Sequence, residues 1–393
     1  MKRVTSILLI GCLLTTMLLL TSCGKKENTN EIAIGCYMPL TGANAASGEN
    51  QVRGLQQAID EQNAKGGING KTLKLITYDS AGTTEGATKA ATRLIEQDQV
   101  KVIAGSFLSS SVLAVSSIAE KNKVLHVGTG TGSTWTDIGL NYTYRATSNG
   151  KFPVVTMTDE LVDFGVKSIA LISVISEYGQ SGHDAVLQEC ANNSIEVLAD
   201  ITYQSSDTDF SGIIAKAMAA KADTIVLYGL NVELAMITKQ LRQNGYNDLV
   251  FTIEGGASKE MFVVSGDAAN GMVFAAPYVV PETPEEGTSD MMRSILKVYY
   301  DKYNEMPYTE IFYRGYDQGR LIIEALTKAT DINSGEALAK AFKEIKGLEL
   351  VGGSFDFTGG TGDGLFATNK YMILNGKYMA YDKELLLDWQ SKQ

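Results

Sequence analysis

Strand-like apolar runs alternate with helical runs along this chain, and the alternation restarts partway through. Residues 32–37 (IAIGCY) read as a strand, and 49–64 carries helical spacing that stops at Gly66-Gly67. Strands follow at 72–78, 100–104 and 123–127, with helices at 84–97 and 109–121 between them. Strand–helix–strand order at this spacing requires right-handed crossovers and a largely parallel sheet. After residue 150 the rhythm begins again. Helices at 151–164, 180–193, 209–221 and 232–244 separate strands at 167–174, 195–202, 223–228, 249–253 and 271–276. The expected fold is α/β, with two doubly wound, Rossmann-like lobes. Residues 277–289 hold three of the six prolines and read as a loop or crossover. Helices are expected near 288–304, 308–329 and 334–346, and short strands and turns over 350–382.

The first residues do not belong to this pattern. Lys2 and Arg3 precede an apolar stretch over 4–20, and Leu20-Thr21-Ser22-Cys23 follows at once. The stretch is short for a span of about 20 residues and has the layout of an export signal, residues 1–22. The Leu-Thr-Ser-Cys ending is similar to a bacterial lipobox, which implies lipid on Cys23 and a membrane contact made through that lipid alone. Residues 24–30 (GKKENTN) are polar and complete a flexible tether over 23–30. Removing 22 of the 393 residues leaves 371, enough for two domains.

The formal charge is −11, and losing Lys2 and Arg3 makes it −13. With no basic cluster, nucleic acid is excluded as a partner. Cys36 and Cys190 are expected to be buried, reduced thiols. No C-x-x-C is present and there are only two histidines, so no zinc site and no cofactor is expected.

In open α/β sheets ligands sit beyond the carboxyl ends of the strands. One such loop, Gly105 to Ser111, carries Ser109 and Ser110 where a helix opens. Free N–H groups, the helix dipole and serine hydroxyls suit a carboxylate there, although serines also serve as plain caps. Loop 128–134 (GTGTGST) has G-x-G-x-G spacing after a fourth strand, so it is no dinucleotide fingerprint. Gly130 and Thr131 on it can meet a small polar ligand. Glu254 follows a strand, beside two glycines, and can meet an ammonium; the alternative is an exposed loop acid. Tyr178 opens a helix of the second lobe and can cover a ligand, or simply pack. No nucleophile–base set, G-x-S-x-G or H-E-x-x-H is present, so catalysis is not expected.

These loops resemble those of the periplasmic binding proteins of the leucine/isoleucine/valine type, over nearly all of residues 31–385. The resemblance rests on Pro39-Leu40-Thr41-Gly42, Asn63 to Gly70 (NAKGGING), Gly105 to Ser111, Glu177-Tyr178-Gly179, Asp209-Phe210, Gly266-Asp267-Ala268 and Tyr316-Asp317. It implies a type I fold of two lobes joined by three crossovers: 31–149 plus 277–356, and 150–276 plus 357–393. It also implies that Ser109 and Ser110 hold an amino acid's α-carboxylate, that Gly130 and Thr131 touch both backbone charges, that Glu254 takes the α-ammonium, and that Tyr178 closes from the second lobe. Ser47 stands where the family often has an aromatic, Asn231 near a closing aromatic, and Tyr308 near the side-chain pocket. The family's paired cysteines are missing, and Gly82 and Leu108 lie near their places. The implied function is capture of an amino acid, branched-chain or larger and hydrophobic, outside the cell by a monomer serving the permease of an ABC importer. The alternatives are a receptor for an amide, urea or aromatic acid, and a sensor feeding a separate signalling partner.

Overall fold

The computed structural model describes residues 30–393. The export signal, Cys23 and all but the last residue of the tether lie outside the described residues. Strand β1 is Glu31–Met38, β2 Thr72–Asp79, β3 Val102–Ala104, β4 Leu125–Gly128 and β5 Thr143–Ser148. They form a first sheet in the order β13-β5-β4-β3-β1-β2, where β13 is Asp363–Leu365. The second sheet draws on β6 (Ser168–Val174), β7 (Glu196–Tyr203), β8 (Thr224–Tyr228), β9 (Val250–Thr252), β10 (Met272–Ala276), β14 (Asn369–Leu374) and β15 (Lys377–Ala380). Its order is β15-β14-β10-β9-β8-β6-β7. A small antiparallel pair, β11 (Leu348–Leu350) and β12 (Gly353–Phe355), sits apart.

Burial follows position in the sheet. Central β8 is buried along its whole length, whereas β7, at an edge, alternates exposed and covered residues. Pairing is parallel except where the β14–β15 hairpin adds antiparallel strands beside β10. Each sheet carries its own apolar core, and the chain passes between the sheets three times, after β5, β10 and β13.

The third passage falls later than the sequence suggests. Residues from 357 onward were expected in the second lobe, yet β13 pairs parallel to β5, and Phe357 and Leu365 pack in the first core. The chain joins the second sheet only at β14.

Two helices bring first-lobe side chains to the cleft. Ala45–Ala64 packs on Ile311–Lys328 with the backbones touching. A Cβ on Gly54 would lie 2.0 Å from the Phe312 carbonyl oxygen, and one on Gly315 would lie 2.1 Å from that of Gln51. Only glycine permits this approach. The tight pair sets Gln51 and Gln318 side by side under the strand ends. Gln51 Nε2 donates to Gln318 Oε1 (3.0 Å), Thr129 Oγ1 (2.8 Å) and the Gly105 carbonyl (3.1 Å). Gln318 Nε2 donates to the carbonyls of Gly105 (2.9 Å) and Val127 (2.6 Å).

Candidate functional site

Loops at the carboxyl ends of both sheets enclose a cavity of about 70 Å³. That is several times the roughly 10–15 Å³ one water needs. Ser47, Ser109, Ser110 and Thr131 line it from the first lobe, and Tyr178, Asn231 and Glu254 from the second. Two expected residues do not line it. Gly130 lies behind Ser109: a Cβ there would sit 2.7 Å from Ser109 Oγ, so its smallness lets the loop seat on the helix. Tyr308 lines a separate cavity of about 840 Å³ with Phe262 and Tyr378. Its amide is tied to Asn50 Oδ1 at 2.6 Å.

The first-lobe wall is a set of donors. Helix Ser109–Asn122 has Leu108 at its cap position and no side-chain cap. The serines occupy its first turn, so capping is not their role. The Gly132 amide donates to Ser109 Oγ at 3.0 Å, and the Ser109 hydroxyl lies within reach of the Glu177 carboxyl. Arg145 holds the adjoining loop. It is fully buried, donates from Nε to Asp363 (2.6 Å) and from Nη2 to the Gly132 carbonyl (2.7 Å) and Thr136 Oγ1 (2.8 Å), and bonds the Gly130 carbonyl through Nη1. Its guanidinium lies 4.0 Å from the centre of the Trp135 ring. Asp363 is the counter-charge of this arginine.

The second-lobe wall is a set of acceptors. Glu254 begins a short 3-10 turn, Glu254–Gly256, and is 5% exposed. Neither of its carboxylate oxygens has a partner. It is therefore a buried acid facing the cavity, not an exposed loop residue. Tyr178 stacks obliquely on Tyr228 at 4.7 Å between ring centres, and burial, reinforced by the nearby Glu254 charge, pushes both phenols well above their ordinary value.

Three charged residues of the lining escape a reading of the sequence. Glu310 and Arg314 stand one turn apart, with Nε–Oε2 at 2.9 Å and Nη2–Oε1 at 2.5 Å, and Arg314 Nη1 also reaches the Thr129 carbonyl at 3.2 Å. Burial raises the Glu310 carboxyl, while Arg314 opposes that shift. Glu260, 4% exposed, completes the acidic side, and burial raises its carboxyl too. An i,i+4 Glu–Arg pair across an apolar stretch (EIFYR) is the one signal that pointed to the first two.

The lobes touch at the cleft. The Ser133 amide donates to Ser181 Oγ (2.9 Å), and the two serine oxygens are 2.8 Å apart. Ser258 bridges Thr309 in antiparallel fashion, and the Lys259 amide donates to the Tyr308 carbonyl at 3.3 Å.

Other motif residues are structural. Asp79 accepts from the Leu40 amide (2.8 Å), Thr41 Oγ1 (2.7 Å) and the Ala81 amide (2.7 Å), fixing the first loop. Asp317 accepts from the amides of Val351 (3.1 Å) and Gly352 (2.8 Å), and burial raises its carboxyl to about 7. A Cβ on Gly82 would lie 3.9 Å from Leu108 Cδ1, so these two residues are neighbours. Cys36 and Cys190 are buried and unpaired, and burial lifts their thiols to about 12 and about 11. His126 bonds Tyr37 at 2.9 Å and burial lowers it to about 3; His183 sits between Asp184 and Asp200. Among the described residues no group of His, Cys, Asp and Glu is arranged to hold a metal.

Donors on one wall and unpaired carboxylates on the other form a site for a molecule carrying both an anion and a cation. Comparison with known proteins gives the family. The sequence profile described as periplasmic binding protein matches residues 31–376. An amino acid binding protein of Pseudomonas aeruginosa is 29% identical over 60% of this chain, and the match spans 64% of that protein's length. A Leu/Ile/Val-binding protein homologue of Brucella melitensis is 26% identical over 85% of this chain and 88% of its own. In structure, the substrate-binding protein LivJ of a Streptococcus pneumoniae branched-chain amino acid transporter, solved with isoleucine, superposes with a TM-score of 0.80 at 24% identity, over 89% of this chain and 98% of that one. The fold is thus that of a two-lobed binding protein, and the chain belongs to the periplasmic binding protein family.

Proposed function

We propose that the chain is the substrate-binding component of an ABC importer and captures an amino acid in the cleft between its lobes. One observation carries this reading: the partnerless, buried Glu254 carboxylate faces a cavity whose opposite wall holds the open end of helix Ser109–Asn122. A buried carboxylate whose oxygens lack hydrogen-bond partners is costly, and an α-ammonium supplies them. The ligand's α-carboxylate goes to the N–H groups and hydroxyls of Ser109 and Ser110, with Thr131 beside it. Tyr178 covers the ligand from the second lobe. Binding and lobe closure are the whole activity, with no bond made or broken. The relatives' names make branched-chain amino acids the first candidates.

Family membership fits an exported protein. In this proposal Cys23 carries the lipid that holds a monomer at the membrane, facing the permease that receives the ligand. A thermal-shift screen over the standard amino acids tests the reading. A ligand at 100 times its dissociation constant adds about 2.7 kcal/mol to stability and raises the melting temperature visibly. No shift with any amino acid overturns it.

A further inference from the structure

The charges of the lining do not balance with a simple zwitterion. Glu254, Glu260 and Glu310 face the cavity, and Arg314 is the one cation among its lining residues. Arg314 forks onto both oxygens of Glu310 and bonds the Thr129 carbonyl, and it reaches Glu254 through its charge without a hydrogen bond. Among the described residues two carboxylates of the lining, Glu254 and Glu260, have no salt bridge. Glu260 heads the short helix Glu260–Val263 and is 4% exposed, and its Oε2 has no partner. The groups around it add no cation. Glu233, Tyr308 and Tyr378 are the titratable neighbours that feel its charge.

A ligand with one ammonium satisfies Glu254 and leaves Glu260 buried against its side chain. For an aliphatic side chain that is a poor environment, since hydrocarbon offers a carboxylate no hydrogen bond and no charge. A ligand with a second cation satisfies both. Its α-carboxylate takes the donor wall, its α-ammonium takes Glu254, and the second cation takes Glu260. Every charge in the cavity then has a partner.

We infer that this binding protein takes a dibasic amino acid, with Glu260 receiving the cation at the end of the side chain. The inference rests on the amino-acid reading of the cleft and narrows it. Glu260 is here a specificity residue, and the Glu310–Arg314 pair is the fixed wall beside it. Burial already raises the Glu260 carboxyl, which is the strain a cation relieves.

The test is competitive binding to the full mature chain with lysine, ornithine, arginine, glutamine, leucine and isoleucine, repeated on Glu260→Gln. The ranking on the parent chain needs no variant and so no assumption about folding. A dibasic amino acid is expected to bind about a hundredfold tighter than leucine or isoleucine, and Glu260→Gln to remove most of that preference. If leucine or isoleucine binds tightest, the inference is overturned and the amino-acid reading stands. If Glu260→Gln leaves the dibasic preference unchanged, Glu260 is not its source and the inference is again overturned. If none of the six binds, the inference is overturned, and the thermal-shift screen over the standard amino acids decides the amino-acid reading.

Discussion

Arg145 and Glu254 are both buried charges, and they are treated in opposite ways. Arg145 meets a carboxylate, two carbonyls, a hydroxyl and an aromatic face. Neither carboxylate oxygen of Glu254 has a hydrogen-bond partner, and Arg314 reaches it only through its charge. Both sit near the same cavity, Arg145 just behind the loop that lines it and Glu254 on its opposite wall. The difference separates a charge that builds the site from one that waits for a ligand. A buried ion that holds structure must be satisfied within the fold, because an unpaired one costs several kcal/mol. An unsatisfied ion at a cavity is tolerated when its partner arrives from outside.

Substituting the satisfied charge should do the most damage. Arg145→Ala strands Asp363 and frees the carbonyls of Gly130 and Gly132. Breaking one side of such a buried pair costs about 3–5 kcal/mol. Denaturant unfolding should show that loss, together with weaker ligand binding because the loop behind Ser109 is released. Unchanged stability would mean that the arginine network is ornamental and the contrast with Glu254 empty.

A smaller effect is expected at the seam between the lobes. Ser181→Ala deletes the contacts to Ser133 and leaves the cavity lining intact. One net hydrogen bond is worth about 0.5–1.5 kcal/mol, so affinity should fall by roughly two- to tenfold, mainly through faster release. An unaltered dissociation rate would show that this seam does not hold the lobes together.

Glu160 sharpens the comparison from the other side. It is buried in the second lobe, away from the cleft lining, and neither carboxylate oxygen has a partner. With no ligand to wait for, it keeps its proton. Burial raises its carboxyl from 4.5 to about 8, opposed by Lys370 and aided by Asp159 and Asp163. A carboxyl raised on folding contributes stability that is complete below its unfolded value and fades as pH climbs through the folded one. Unliganded protein should therefore lose this stability between about pH 4.5 and pH 8. Glu160→Gln should flatten that part of the profile and raise the melting temperature by a few degrees at pH 8. A steeper profile in the variant would contradict the assignment.

The alternation of strands and helices made the two lobes legible, because central strands bury continuous apolar runs while helices carry a periodic face. The third passage between lobes was not legible. Strand β13 is three residues preceded by a Gly-rich turn, too short to show a period. Glu254 could be found because the strand-end rule names its loop and two glycines follow it. Glu260 lies six residues further on, beside Lys259, and looks like a solvated Lys–Glu pair. Glu310 and Arg314 have the spacing of an ordinary surface ion pair. Only the packing of their helix against Ala45–Ala64 turns that face inward. Tyr308 was placed by resemblance alone, and its direction depends on a backbone bond to Asn50 that no local pattern encodes.

The claim that Glu254 takes the α-ammonium is tested most directly by a cycle of calorimetric titrations. Parent and Glu254→Gln are each titrated with the best-binding amino acid and with its des-amino counterpart. Loss of a buried pair costs about 3–5 kcal/mol, and 1.4 kcal/mol is about tenfold. With part of that offset by the amide's own bonds, Glu254→Gln should weaken amino-acid binding by roughly two to three orders of magnitude. Removing the ammonium from the ligand should cost the parent a similar amount and the variant little more. Equal affinities of parent and variant for the amino acid, with both proteins folded, would show that the ammonium lies elsewhere.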